Sequence, residues 1–238
     1  VIQVSSLAAG PAAAEKLAQA LSAGKVAIFP TETVYGVGAC VTAAEGMERL
    51  RRIKDRMIGG KPFSVHIGTW DDAYQYVNRM PPLAERLIRK AWPGPLALIL
   101  PVEDPAATPI AQIVGKDGLC DVFHENTVGL RCPDDAVALQ AFAAVKGPVV
   151  ASSANRPGHA PPTVAKDAIA ELGEQVDLII DTGTTRYTKP STIVQISADG
   201  SWRMLRSGVL DERAIRRLAS RTILFVCSGN TCRSPMAE

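Results

Sequence analysis

Cations, hydroxyls and amides recur along this chain at the ends of apolar runs, and their chemistry is that of phosphate and carboxylate binding. "IKDRMIGGKPFSVHI", residues 53–67, sets Lys54, Arg56 and Lys61 around a Gly59-Gly60 turn just before a strand. Arginine engages phosphate oxygens through parallel N–H donors and lysine supplies compact charge, so three cations on such a loop suit a polyphosphate. They also continue Arg49, Arg51 and Arg52, and a charge run of this kind is commonly a solvated face. "TVGLRCPDD" ends a strand at Arg131, and "VVASSANRPGHAPPT" ends another in Ser152, Ser153 and Asn155. These groups can hydrogen-bond a nucleotide or serve an ordinary turn. "KPSTIV" and "WRMLRSG" add Lys189, Ser191, Thr192 and Arg206. "FPTETVYGVGA", residues 29–39, places two threonines, a glutamate and a tyrosine between Pro30 and Gly36. Gly36 and Gly38 admit a ligand or another segment close to the backbone. A strand-to-helix turn with threonine caps is the ordinary alternative.

The elements that must position these residues follow from periodicity. "PAAAEKLAQALSAG" reads as a helix with Pro11 in its first turn and Gly24 at its end. "AAEGMERLRRIK" puts Met47, Leu50 and Ile53 on one helical face. Residues 71–91 read as two helical pieces broken at Pro81-Pro82, and "DDAVALQAFAAVKG", "TVAKDAIAELG" and "DERAIRRLAS" as further helices. "KVAIFP", "FSVHI", "LALIL", "TVGLR", "PVVAS", "VDLIID", "STIVQI", "WRMLR" and "TILFV" read as strands. The alternation predicts an α/β layered fold with a largely covered sheet.

Composition narrows the function classes. A net charge of +2 makes no demand for nucleic acid or membrane, and the longest apolar runs are strand-length. No secretory leader is recognisable in "VIQVSSLAAG". Five cysteines without pairing spacing argue against a disulfide framework and for a cytoplasmic setting. His66, His124 and His159 lie far apart and there is no C-x-x-C, so a zinc site built by the protein is not expected.

The order of motifs carries a resemblance. "PTETVYGVGA", a K-x-R followed by "KPFSVHI", then "WPGPLALIL", "TVGLR", "SSAN", "PST" and "LRSG" resemble the YrdC-like family of threonylcarbamoyl-AMP synthases, from about residue 10 to residue 208. The resemblance implies a twisted mixed sheet with flanking helices and a concave ligand cavity. It implies an enzyme joining L-threonine, bicarbonate and ATP into threonylcarbamoyl-adenylate and pyrophosphate. Mg²⁺ is expected to arrive with ATP, and the product to feed N6-threonylcarbamoylation of adenosine 37 in tRNA. tRNA and a downstream threonylcarbamoyl transferase are the implied macromolecular partners, and no membrane is. Carried over by motif, Thr33, His66 and Arg131 lie near threonine, with Arg131 pairing its carboxylate. Lys54, Arg56, Lys61, Thr127, Ser153, Asn155, Thr163 and Arg206 lie around ATP, with Lys54 and Arg56 the catalytic cations, and Ser191 can touch either ligand. Two departures stand out: Ala97 replaces the family's usual threonine, and the basic loop is one residue longer, which unsettles the placement of Lys61.

Basic segments 49–56 and 203–221 could instead hold structured RNA. "LIIDTGTT" matches the aspartic-protease signature, which needs a second aspartate, and Asp181 reads more simply as a strand-end residue before a glycine turn. "VCSGNTCRS" resembles the phosphate loop of low-molecular-weight protein tyrosine phosphatases, with Cys227 as thiolate and Arg233 on the phosphate. Only five residues follow Arg233, so that family's downstream aspartate and remaining elements are not in this sequence. Residues 1–208 therefore read as the synthase domain, 209–221 as a linker helix, and 222–238 as the start of a phosphatase domain. That segment is expected to be inactive by itself and to belong to a longer fusion.

Overall fold

The computed structural model describes the backbone of residues 3–5 and residues 10–55 and 63–221. Arg56, Lys61, Cys227 and Arg233 lie outside the described residues, as does the strand expected at "TILFV".

In chain order the elements are β1 Gln3–Ser5, α1 Pro11–Ser22, β2 Ala27–Phe29, β3 Gly36–Cys40, α2 Ala44–Ile53 and β4 Ser64–His66. A 3-10 turn at Trp70–Tyr76 leads to α3 Pro82–Ala91, β5 Leu96–Pro101, α4 Ala111–Val122, β6 Phe123–His124 and β7 Thr127–Arg131. Then come α5 Ala136–Ala144, β8 Val149–Ser153, α6 Ala165–Leu172, β9 Leu178–Ile180, β10 Thr192–Ile196, β11 Trp202–Arg206 and α7 Glu212–Ala219. All strands join one mixed sheet in the order β1-β9-β2-β3-β8-β4-β7-β5-β10-β11, with β6 hydrogen-bonded to β7 alone. The mixed pairing is set by the connections. β2 and β3 are antiparallel across a six-residue loop, whereas β5 and β10 are parallel and separated in the chain by β6 to β9.

Two apolar layers pack on this sheet. On one face lie Met47 and Leu50 of α2, Leu87 and Ile88 of α3, Ala168 and Leu172 of α6 and Ile215 of α7, against inward strand residues such as Val65, Leu98, Leu130 and Val194. On the other face α1 and α5 bury Leu17, Leu21, Ala138 and Phe142 against Phe29, Ala151 and Ile180. The small alanines of both helices allow their close approach. This second layer covers β9, β2, β3 and β8 and stops there. Beyond it, β4, β7, β5, β10 and β11 keep the alternation of half-buried strands, and among the described residues no helix covers that face. The uncovered part forms the concavity.

Four elements, β1, β3, α4 and β6, are not among those read from the sequence. Residues 36–40 form a strand, not the start of a helix, because Gly36 and Gly38 are where β3 is squeezed between neighbours. A Cβ on Gly36 would lie 2.8 Å from the Phe29 ring, and one on Gly38 would lie 2.6 Å from the Val150 carbonyl oxygen. α4 is kinked, with Gly115 at φ 65° inside it. α7 packs on α3 and buries Ile215, and its last carbonyls accept from Arg86 Nε and Lys90 Nζ.

Candidate active site

Strand register builds the floor of the cavity. Arg131 of β7 stands opposite Ala97 of β5, Ala97 opposite Ile193 of β10, and Ile193 opposite Arg206 of β11. These four residues form one row across the open face, and all line the cavity. Three strand spacings of about 4.8 Å separate the two arginine backbones by roughly 14 Å. Plain alternation in "WRMLR" would put Arg206 on the core side with Trp202 and Met204. A register shift intervenes, because Val194 pairs Met204 while Ile193 pairs Arg206. The extra residue, Leu205, is exposed, and the irregularity turns Arg206 to the cavity side.

The opposite wall comes from β3, β4 and β8. Gly36 pairs Ser153 and Ser64 pairs Ala151, so Ser64, Ser152 and Ser153 reach the cavity together. His66 lines it too, packed edge-on against Phe29 and Phe142 at the border of the α1–α5 layer. Burial, and secondarily the charge of Arg131, push its pKa down to about 3 despite the Ser64 carbonyl beside Nδ1. The ring is therefore neutral near pH 7. With Nδ1–H directed at Ser64 O, 3.1 Å away, Nε2 is left as the acceptor.

The loop between β2 and β3 closes the cavity and is pinned at many points. Thr31 Oγ1 donates to the Val34 carbonyl, and the Thr31 and Thr33 hydroxyls are 2.9 Å apart. A strap after β9 is sewn onto this loop. Tyr35 OH donates to the Gly183 carbonyl at 2.7 Å, Thr185 Oγ1 to the Thr33 carbonyl at 2.8 Å, and Tyr187 N–H to the Glu32 carbonyl at 2.9 Å. The strap delivers Pro190 and Ser191 to the cavity. Asp181 begins it by accepting from Gly183 N–H, an Asx-type turn that accounts for the DTG sequence.

The two arginines differ in their company. Arg131 is buried, and its Nη2 donates to Glu32 Oε2 at 2.9 Å and to Thr33 Oγ1 at 2.6 Å. Arg206 donates to the carbonyl and hydroxyl of Ser191, at 2.9 and 3.0 Å, and has no carboxylate partner among the described residues. Desolvation, then the charge of Arg131, lower its pKa.

The structure thus brings His66, Arg131, Ser153, Ser191 and Arg206 to one cavity of about 170 Å³. Thr33 sits one layer behind, reached through Arg131. Lys54 is buried and donates to the carbonyls of Ser153 and Asn155, tying the end of α2 to the end of β8. Asn155 donates to the carbonyls of Arg156 and His159 and shapes the following loop, while its Oδ1 is buried without a partner among the described residues. The Thr163 carbonyl accepts from Thr185 N–H, and the residue does not line the cavity. Thr127 stands apart from the expected cluster. It shares the open face with Arg131 but starts β7, two pleats away, and donates to the His124 carbonyl. Sequence reasoning passed over Thr31, Ser64 and Glu32. Ser64 could have been found from its alternation with His66, but the partnership of Glu32 with a residue 99 positions away could not.

The basic run before the loop is committed elsewhere. Arg49 pairs Asp177 at 2.7 Å, Arg51 pairs Asp121 at 2.5 Å and Arg52 pairs Glu48 at 3.5 Å. Among the described residues there is no cluster of three or more metal-ligating side chains, and no carboxylate or thiol lines the cavity. No helix among them is long and apolar enough to cross a membrane.

A family model for Sua5, YciO and YrdC proteins, described as telomere recombination, matches residues 19–208. The chain belongs to the Sua5/YciO/YrdC family. A threonylcarbamoyl-AMP synthase of Pyrococcus abyssi is 30% identical over 218 residues, covering 89% of this chain and 60% of the relative. A Mycobacterium tuberculosis relative is 35% identical over 198 residues, covering 82% of this chain and 84% of its own length. Among solved structures, P. abyssi Sua5 complexed with L-threonine superposes with a TM-score of 0.76 at 28% identity, covering 92% of this chain and 60% of Sua5. YciO of E. coli superposes with a TM-score of 0.70 at 23% identity over all of its length, a likeness of fold. The chain thus spans about three-fifths of the Pyrococcus protein, and its family fold is the twisted mixed sheet with flanking helices described above.

Proposed function

We propose that this family member is a threonylcarbamoyl-AMP synthase, a nucleotidyltransferase using L-threonine, bicarbonate and ATP with its Mg²⁺ as substrates. The observation that carries the reading is the row Arg131–Ala97–Ile193–Arg206, which sets two cations at opposite ends of one hydroxyl-walled cavity. The names of the Pyrococcus synthase and the threonine complex of its structure support it.

The chemistry matches what the walls offer. The threonine amine adds to bicarbonate and water is lost, giving a carbamate. A carbamate oxygen then attacks the α-phosphorus of ATP, and the P–O bond to the leaving pyrophosphate breaks. Both partners are anionic, so the protein must align them and offset their repulsion, and it needs no nucleophile of its own. Arg131 receives the threonine carboxylate, and neutral His66 accepts a hydrogen bond from the amino acid without adding charge. Ser153, Ser191 and Arg206 face the nucleotide side, and Lys54 holds the Ser153 backbone in place. The enclosed volume is below the roughly 300–1,000 Å³ of a pocket for a drug-sized ligand. The rest of the nucleotide therefore extends over the open face, on which Thr127 lies, and Arg56 and Lys61 are its further cations. The product is passed to tRNA modification in the cytoplasm by a separate transferase.

The test is mass-spectrometric detection of threonylcarbamoyl-adenylate, with pyrophosphate release dependent on both threonine and bicarbonate. Release independent of threonine would remove the reading. For the C-terminal region we propose that residues 222–238 begin a phosphatase-like segment after α7, which packs on α3 and so extends the preceding domain past residue 208, on the support of the Cys227-x5-Arg233 spacing alone. Hydrolysis of p-nitrophenyl phosphate by the longer parent protein, abolished by Cys227→Ser, is the expected result; activity indifferent to that change would remove it.

A further inference from the structure

Among the described residues, Glu32 is the carboxylate that pairs with Arg131, and it does so from behind. Its side chain is 1% exposed and does not line the cavity. Oε2 lies 2.9 Å from Arg131 Nη2, while Oε1 and Arg131 Nε are both buried without partners among the described residues. Thr33 Oγ1 is the only other group within hydrogen-bond reach of that guanidinium among the described residues, and it is neutral. Deprived of Glu32, Arg131 would be a buried cation facing a hydroxyl, an arrangement that either expels the side chain or disorders it. The backbone around Glu32 is itself fixed, by Tyr187 N–H on its carbonyl and by Thr185 on that of Thr33.

We propose that Glu32 is the positioning residue for Arg131. It engages Nη2 and holds the guanidinium flat against the β2–β3 loop, so that Nη1, which has no partner among the described residues, is presented to an incoming carboxylate. Glu32 also cancels the arginine's charge when the cavity is empty, so the ligand meets a preset donor and not a mobile ion. This rests on the reading of the Arg131 end as the threonine subsite.

The test is steady-state kinetics on the full chain with pyrophosphate release as readout. Glu32→Gln is expected to raise the KM for threonine at least tenfold while leaving the KM for ATP within twofold. In an Arg131→Met background, adding Glu32→Gln is expected to change the threonine KM less than twofold, because Glu32 acts through Arg131. Effects that multiply in the double variant, or that fall equally on ATP, overturn the proposal. A wild-type chain that releases no threonine-dependent pyrophosphate removes the functional reading and this proposal with it. Should Glu32→Gln fail to fold, Glu32→Gln/Arg131→Met decides, since it removes both charges together. A folded double variant with the threonine KM of Arg131→Met supports the pair acting as a unit, and an unfolded one reduces Glu32 to a structural role.

Discussion

Replacing Arg206 by methionine separates the two ends of the cavity. Arg206 is anchored by two bonds to Ser191, which leaves three of the five guanidinium N–H donors for a ligand. A hydrogen bond from a charged donor contributes about 1.5–3 kcal/mol when shielded from water. Arg206 remains open to solvent, so screening lowers the expectation to about 1–2 kcal/mol. At about 1.4 kcal/mol per factor of ten, that is a rise of roughly 5–30-fold in the KM for ATP. Methionine keeps much of the apolar stem over Ile193, so fold stability should hardly change. The threonine KM should stay within twofold, because Arg131 and Glu32 form a separate unit about 14 Å along the row. Pyrophosphate release under varied ATP at saturating threonine, and the converse, gives both constants. A rise confined to threonine would show that the row has been read in the wrong direction. No rise in either constant would remove Arg206 from the site.

Other outcomes follow from the same geometry. Lys54→Met removes the cation that binds the Ser153 and Asn155 carbonyls, and should weaken ATP use and lower the melting temperature together, read by kinetics and calorimetry. Gly38→Ala forces a Cβ to 2.6 Å from the Val150 carbonyl oxygen, and overpacking of this kind should cost about 1–3 kcal/mol in denaturant unfolding. His66 has a folded pKa of about 3 against about 6.5 in the unfolded chain. The unfolded state therefore binds the extra proton between those values, and stability attributable to His66 is full above about pH 6.5 and lost as pH falls toward 3. His66→Gln should flatten that part of the melting-temperature profile; an unchanged profile would place the ring in water.

What was legible in the sequence was the part governed by local rules. Pro11 and the period of α1, Met47, Leu50 and Ile53 on α2, and the alternation of "LALIL" and "TVGLR" all found their elements where periodicity put them. Of the polar residues at strand ends, Arg131, Ser153 and Arg206 line one cavity because neighbouring strands bring them alongside one another, whereas Asn155 and Thr127 do not reach it. The rest depended on distant partners. Gly36 and Gly38 look like a turn until Phe29 and Val150 are seen pressing on them. α4 escaped notice because Gly115 and Gly118 interrupt its period. The facing of Arg206 is set by one irregular residue in β11, which no alternation rule can foresee.

That irregularity and the Glu32 contact together explain why two arginines in one cavity are not redundant. Residues 131 and 206 occupy the two ends of a row whose middle, Ala97 and Ile193, is apolar and offers no competing hydrogen bonds. At one end the charge is already matched, so that end selects by geometry. At the other, among the described residues, it is matched only by the Ser191 oxygens, so that end selects by charge. A ligand pair in which one member has a single carboxylate and the other several phosphate charges fits this order and not its reverse. Exchanging the two characters, by Glu32→Gln at one end or by a carboxylate at position 191 at the other, should therefore impair different substrates. Ser191→Asp in particular should pair Arg206 and repel the nucleotide, raising the KM for ATP more than removal of the hydroxyl by Ser191→Ala does. Equal effects of the two substitutions would mean that the Ser191 hydroxyl, and not the charge of Arg206, governs that end.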